Sequence, residues 1–234
     1  MSDKDELNVP AAKLPHFEKP IDFRASFHWR VFRIMAEFVD GFQFLADFKK
    51  TVTFFGSARF DEKNKWYAEA RKLASLLAQE NIGVISGGGP GIMEAANRGA
   101  AEAGGDSIGL NIKLPYEQRI NPWVRKAIAF HYFFVRKVML SYSAQAYAFF
   151  PGGFGTLDEV FEIITLIQTK KVSGTIPVIL IGKEFWQPIC EWIDEALYQK
   201  FATIDKEDMN LYKLVDTAEE ALAIAKAAPL REEF

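Results

Sequence analysis

Cysteine is nearly missing from this sequence: the 234 residues contain one, Cys190. A lone thiol excludes an intrachain disulfide and any multi-thiolate metal cluster. Cys190 lies in FWQPICEWI, on what reads as a buried helix face, where a free cysteine acts as a small core residue. Histidine is scarce as well, at His16, His28 and His131. His131 falls at the end of an apolar strand and reads as a packed or hydrogen-bonded core residue. No stretch reaches the ~20 apolar residues of a membrane span. The longest candidate, VMLSYSAQAYAFF, is interrupted by polar groups. The start, MSDKDELNVP, lacks the basic residues and apolar run of a signal peptide. A net charge of −3 supplies no field that would draw polyanions, so neither nucleic acid nor a membrane is an expected partner. The composition, 49% hydrophobic and 25% charged, is that of a globular protein with material for a sizeable core, expected in the cytoplasm.

Residues 1–24 are rich in Pro, Lys, Asp and Glu without a clear period and read as a flexible arm. Residues 25–234 are expected to form one domain. Its first element is a helix over 26–48, with Phe27, Val31, Ile34, Phe38, Phe42 and Leu45 at helical spacing. Trp29, Phe32, Val39 and Phe48 add a second apolar stripe. A helix apolar on two faces either packs between other elements or lies in a subunit interface, and the interface is the expectation here. Then short apolar strands alternate with helices of ten or more residues, beginning with TVTFFGSA at 51–58 and closing with YKLVD and TAEEALAIAKAA. That alternation predicts parallel βαβ units: an α/β, Rossmann-like doubly wound parallel sheet flanked by helices, with the aromatic helix as an N-terminal addition.

In such sheets the carboxyl ends of the strands line the ligand crevice. Three strand ends are unusual: GSA at 56–58, SGGGPGIME at 86–94 and PGGFGTLDE at 151–159. A turn without Cβ atoms approaches an anion closely, and the following helix points free N–H groups at it. Gly152, Gly153, Gly155 and Thr156 form one such nest; Gly87, Gly88, Gly89 and Gly91 form another, with Pro90 pre-set for the first helical turn. Neither turn has the dinucleotide spacing, and none is followed by the Lys-Ser or Lys-Thr of a P-loop. A nucleoside monophosphate or another small phosphate ester fits better.

The acids admit two readings each. TLDE is a Thr-x-x-Glu capping box, in which Thr156 and Glu159 satisfy free N–H groups; Glu159 is also expected to do chemistry, since a helix start is a rigid mount on which cap and catalyst need not compete. Asp158 and Glu94 would serve as charges at the positive ends of helix dipoles. Arg136 and Lys137 stand near a helix start, the wrong end for cations, so either an acid or phosphate is nearby or the helix has a long polar face.

With these motifs in order, the sequence resembles the Lonely Guy (LOG) family of cytokinin-activating phosphoribohydrolases, often labelled lysine decarboxylase-like. PGGxGTxxE is present as PGGFGTLDE, GGGxxGxM as GGGPGIM, the Arg-Lys pair as Arg136–Lys137, and the opening strand as FFGSAR. The resemblance covers about 50–220. It implies the fold already read and hydrolysis of the N-glycosidic bond of a purine nucleoside 5′-monophosphate, AMP or a cytokinin riboside 5′-monophosphate, to free base and ribose 5-phosphate. By motif position, it makes Arg136 and Glu159 the catalytic pair. Glu94, Lys137, Gly152, Gly153, Phe154, Gly155, Thr156, Leu157 and Asp158 would line the substrate site with them. Gly88 and Gly89 belong to its second nest, Gly56 and Ser57 border it, and Thr165 is a further contact. No metal or organic cofactor is implied, and the decarboxylase label has no pyridoxal phosphate site behind it. The partners implied are the nucleotide and a second copy of the chain, in a homodimer or larger assembly. Two departures stand out: FFVRK replaces the Met-His-x-Arg-Lys run of many members, and the aromatic helix extends beyond the compact ones. A molybdenum-cofactor carrier on the same scaffold, or a nucleotide-sensing module, is the competing reading. A pure carrier needs the nest but not the Arg136–Glu159 pair.

Overall fold

The apolar runs become strands because both of their faces are covered. In a computed structural model, which describes residues 26–113 and 120–230, the strands are β1 (Thr51–Phe55), β2 (Gly83–Ser86), β3 (Ser107–Ile112), β4 (Lys126–Phe130), β5 (Ala146–Phe149), β6 (Val178–Ile181) and β7 (Tyr212–Val215). They form one seven-stranded sheet in the order β4-β3-β2-β1-β5-β6-β7, every pairing parallel. The helices are α1 (Phe27–Ala46), α2 (Lys65–Gln79), α3 (Ile92–Glu102), α4 (Phe133–Tyr142), α5 (Phe154–Gln168), α6 (Lys183–Trp192) and α7 (Ala218–Ala227). A π-helical segment, Ile193–Lys200, continues α6. The arm expected over 1–24 lies outside the described residues. Among those residues no helix is long and apolar enough to cross a membrane.

The two sides of the sheet follow from the strand period of two. Val52 and Phe54 of β1 join Leu73, Leu77, Ile92 and Ala96 in a core under α2, α3 and α7. The alternate residue Phe55 joins Ile85, Phe149, Met139, Ile163 and Trp186 under α4, α5 and α6. Trp186 is fully buried, and its indole N–H donates to the Phe149 carbonyl at 3.1 Å, tying α6 to β5. Each fully buried aliphatic or Phe side chain here contributes about 1.5–3 kcal/mol of transfer free energy.

Helix starts differ in a way that bears on function. Asn64 caps α2 and Thr217 with Glu220 boxes α7, whereas neither α4 nor α5 has a side-chain cap of its own. The order of strands reverses at β1, with β2 on one side and β5 on the other. Ligand crevices open at that point in doubly wound sheets.

Several local expectations change. Pro90 precedes α3 rather than opening it, because Gly91 occupies the N-cap at φ 71°. His131 is exposed, its ring edge-on to Tyr132 with centroids 5.0 Å apart, because β4 has ended and α4 has not begun. Cys190 is half-buried against the α6 side of the core, not enclosed in it. In α1 only Gly41 and Leu45 are buried. Phe27, Phe32, Met35 and Val39 stay more than half exposed.

Candidate active site

At the reversal point lies a cleft of about 770 Å³, walled by the ends of β1 and β5, the start of α5 and one side of α4. Its floor is stitched by the main chain of Ser57. The Ser57 N–H donates to the Pro151 carbonyl at 3.0 Å, and the Ser57 carbonyl accepts from the Ile92 N–H at 3.0 Å. A single residue, two positions past the end of β1, thus holds both glycine turns. Two glycines are needed for this closeness. A Cβ on Gly91 would run into the Ser57 carbonyl, and one on Gly152 would collide with the Thr156 side chain.

Gly153 and Gly155 are different. Neither has a positive φ, and a Cβ at either would meet nothing within 4 Å. The fold does not require glycine at these positions; the missing side chains leave bare backbone facing open space. Gly153 is the N-cap of α5 with no side-chain cap, so the N–H groups of Phe154, Gly155 and Thr156 begin the helix unpaired within it. Their dipole end faces the cleft.

This placement overturns the capping-box reading. With Gly153 as N-cap, Thr156 is the third helical residue and Glu159 the sixth. Glu159 is therefore too far along the helix to serve as the N3 cap. It is 7% exposed, and its Oε2 has no hydrogen-bond partner. Burial pushes its pKa up to about 7, with Lys137 and Arg136 pulling down and Glu162 and Asp158 pushing up. A buried carboxylate with a free oxygen has no structural explanation of its own.

Arg136 lines the cleft from α4. Its guanidinium lies 5.0 Å from the Phe133 ring centroid, and its Nε lacks a hydrogen-bond partner. Burial depresses its pKa, opposed by the charge of Glu159. Lys137, the next residue, turns the other way: its Nζ lies 2.5 Å from Asp158, 2.9 Å from Glu162 and 4.0 Å from Glu159. The carboxylates of α5 thus explain a cation at this helix end.

Gly56, Ser57, Arg136 and the whole run from Gly152 to Glu159 meet at the cleft. Gly88, Gly89, Glu94, Lys137 and Thr165 do not belong to its wall. Gly88 and Gly89 are buried in the loop's own bonds: the Gly88 N–H donates to Ser86 Oγ at 3.0 Å, and the Gly89 carbonyl accepts from Asn121 Nδ2 at 3.0 Å. Glu94 accepts from the Tyr67 hydroxyl at 3.2 Å. Thr165 is exposed farther along α5, donating to the Phe161 carbonyl at 2.6 Å. In their stead the cleft takes in Gly87, Met93, Arg59, Phe60, Phe133 and Phe185. Arg59 was readable as a cation just past the first strand end. Phe185, on α6, carried no signal in the sequence.

Comparison with known proteins places the chain in a family and a fold. Residues 93–225 match the family model described as "Possible lysine decarboxylase". Cytokinin riboside 5′-monophosphate phosphoribohydrolase LOG2 of Arabidopsis thaliana is 28% identical over 159 residues, 67% of this chain and 73% of that protein. The rice enzyme LOG (Oryza sativa subsp. japonica) is 30% identical over 166 residues, 68% of this chain and 65% of its own length. The chain thus spans just under two thirds of the rice protein. Among solved structures, the molybdenum cofactor carrier protein of Chlamydomonas reinhardtii superposes with a TM-score of 0.58 at 23% identity, over 76% of this chain and 96% of that one. That likeness is one of fold.

Proposed function

The chain belongs to the LOG family, that of the possible lysine decarboxylases, and from that premise we propose that it hydrolyses the N-glycosidic bond of purine nucleoside 5′-monophosphates, AMP or a prenylated AMP. The observation that carries the reading is Glu159: a buried carboxylate with an unpartnered oxygen, on the cleft wall beside the half-buried Arg136. The bare start of α5 receives the phosphate, a use of helix N-termini that needs no side chain. The ribose then lies along the first turns of α5, toward Glu159.

Breaking the C1′–N bond builds positive charge on the ribose, as in other glycosyl transfers. Glu159 stabilises that charge and takes a proton from the attacking water. The water oxygen bonds to C1′. The departing base nitrogen keeps the electron pair and gains a proton, so one water is consumed per bond broken. Arg136 favours electron build-up on the base, and its stacking on Phe133 restricts its movement. Remote phosphate binding positions the reacting carbon.

We also assign a second copy of the chain to the exposed apolar face of α1 and α4, where Phe32, Met35, Val39, Phe134 and Val138 are 39–62% exposed. A homodimer buried there would close the cleft at its α4 side.

The test is direct. Purified protein incubated with AMP and with prenyl-AMP should release free base, and Glu159→Gln should abolish the release. Tight AMP binding without base release, unchanged in Glu159→Gln, would favour the carrier reading instead.

A further inference from the structure

α1 docks through a single stripe. Glu37, Gly41 and Leu45, four residues apart, share one helix face. A Cβ on Gly41 would stand 2.7 Å from the Met139 sulfur and 3.1 Å from Cε1 of Phe130, so the lack of a side chain lets α1 approach α4. One turn earlier Glu37 reaches the start of α4. Its Oε1 accepts from the His131 N–H at 2.8 Å and its Oε2 from the Tyr132 N–H at 3.1 Å. Tyr132 is the N-cap of α4, which has no side-chain cap of its own. A carboxylate in this position satisfies free donors and complements the positive dipole end.

We propose that Glu37, in the helix added ahead of the sheet, is a positioning residue: it clamps the start of α4 and so sets Arg136 over the cleft. The positioning role rests on the reading of Arg136 given above; the clamp itself does not. The added helix then controls the active-site arginine from a distance of nearly a hundred positions in sequence.

The experiment compares Glu37→Ala and Glu37→Gln, which keeps one acceptor, with Leu45→Ala, which loosens the far end of the same stripe. Backbone amide exchange over residues 131–137 should accelerate about ten-fold in Glu37→Ala and not in Leu45→Ala. The kcat for AMP should fall about ten-fold in Glu37→Ala with KM within about two-fold, Glu37→Gln lying between it and the wild type. Unchanged exchange in Glu37→Ala overturns the clamp. Accelerated exchange with wild-type kcat, or an equal kcat loss in Leu45→Ala, overturns the positioning role. If the wild type binds AMP without releasing base, the hydrolase reading falls and the dissociation constant for AMP replaces kcat. A weakening of about ten-fold in Glu37→Ala then supports the proposal, and no weakening overturns it.

Discussion

Lys137 stands 4.0 Å from Oε1 of Glu159, too far for a hydrogen bond, while its ammonium is held by Asp158 and Glu162 at 2.5 and 2.9 Å. It acts on Glu159 through charge alone. Burial outweighs that charge and leaves the carboxyl titrating at about 7.

A base that titrates there must show in the rate. The kcat/KM for AMP should rise with pH through a limb near 7 as Glu159 loses its proton. Lys137→Met removes the chief influence pulling this pKa down, so the limb should move to higher pH. A pH–rate profile of both proteins checks this, and an unmoved limb would speak against Glu159 as the base.

The same shift has a stability consequence. Because the folded pKa of about 7 exceeds the ordinary 4.5, ionised Glu159 costs the native state nothing below pH 4.5 and progressively more up to about 7. Glu159→Gln should therefore be equally stable at low pH and more stable by about 3 kcal/mol above neutrality. Thermal unfolding across pH 4–8 reads the difference. A loss of stability at every pH would instead mean that the carboxyl is a structural group.

Arg136 is half-buried with an enclosed, unpartnered Nε, so its removal should cost activity and not the fold. Arg136→Met is expected to lower kcat by about 10²-fold or more, with Tm unchanged or raised. Steady-state kinetics and a melting curve on one preparation suffice.

Gly155 faces open space, so Gly155→Ala has no packing cost and gains helix propensity. If the start of α5 holds the phosphate, the added methyl should raise KM for AMP about ten-fold with Tm unchanged. An unchanged KM would remove the phosphate from that helix end.

The apolar face of α1 can be tested by charge. Phe32→Glu and Val39→Glu, both 62% exposed, should convert a dimer to a monomer by light scattering after gel filtration. A wild-type chain already monomeric at micromolar concentration would sink the assignment.

The strands and helices were legible because each apolar run has the period of its element. The three unusual strand ends were legible because small residues cluster just past apolar runs; that Gly153 and Gly155 alone of the PGGFGTLDE turn have no packing reason was not. His131 misled because an apolar run does not say on which residue it ends. The capping box misled for a related reason: Thr-x-x-Glu is a local pattern, but the helix begins two residues before the threonine, with Gly153 as its N-cap. Glu94, Gly88 and Gly89 carry the right motif positions, yet the Glu94 side chain and the main chain of the two glycines are taken up by bonds to neighbouring residues.

By itself the sequence determined which elements form, that they alternate, and which glycines, acids and cations reach the carboxyl edge of the sheet, because those facts rest on local periodicity. Only the tertiary structure decided which of them share a cleft. It separated Arg136 from its neighbour Lys137, left Glu159 buried with a free oxygen, and brought Glu37 to the start of α4. Burial and electrostatic environment are sums over distant segments, and no local pattern encodes them.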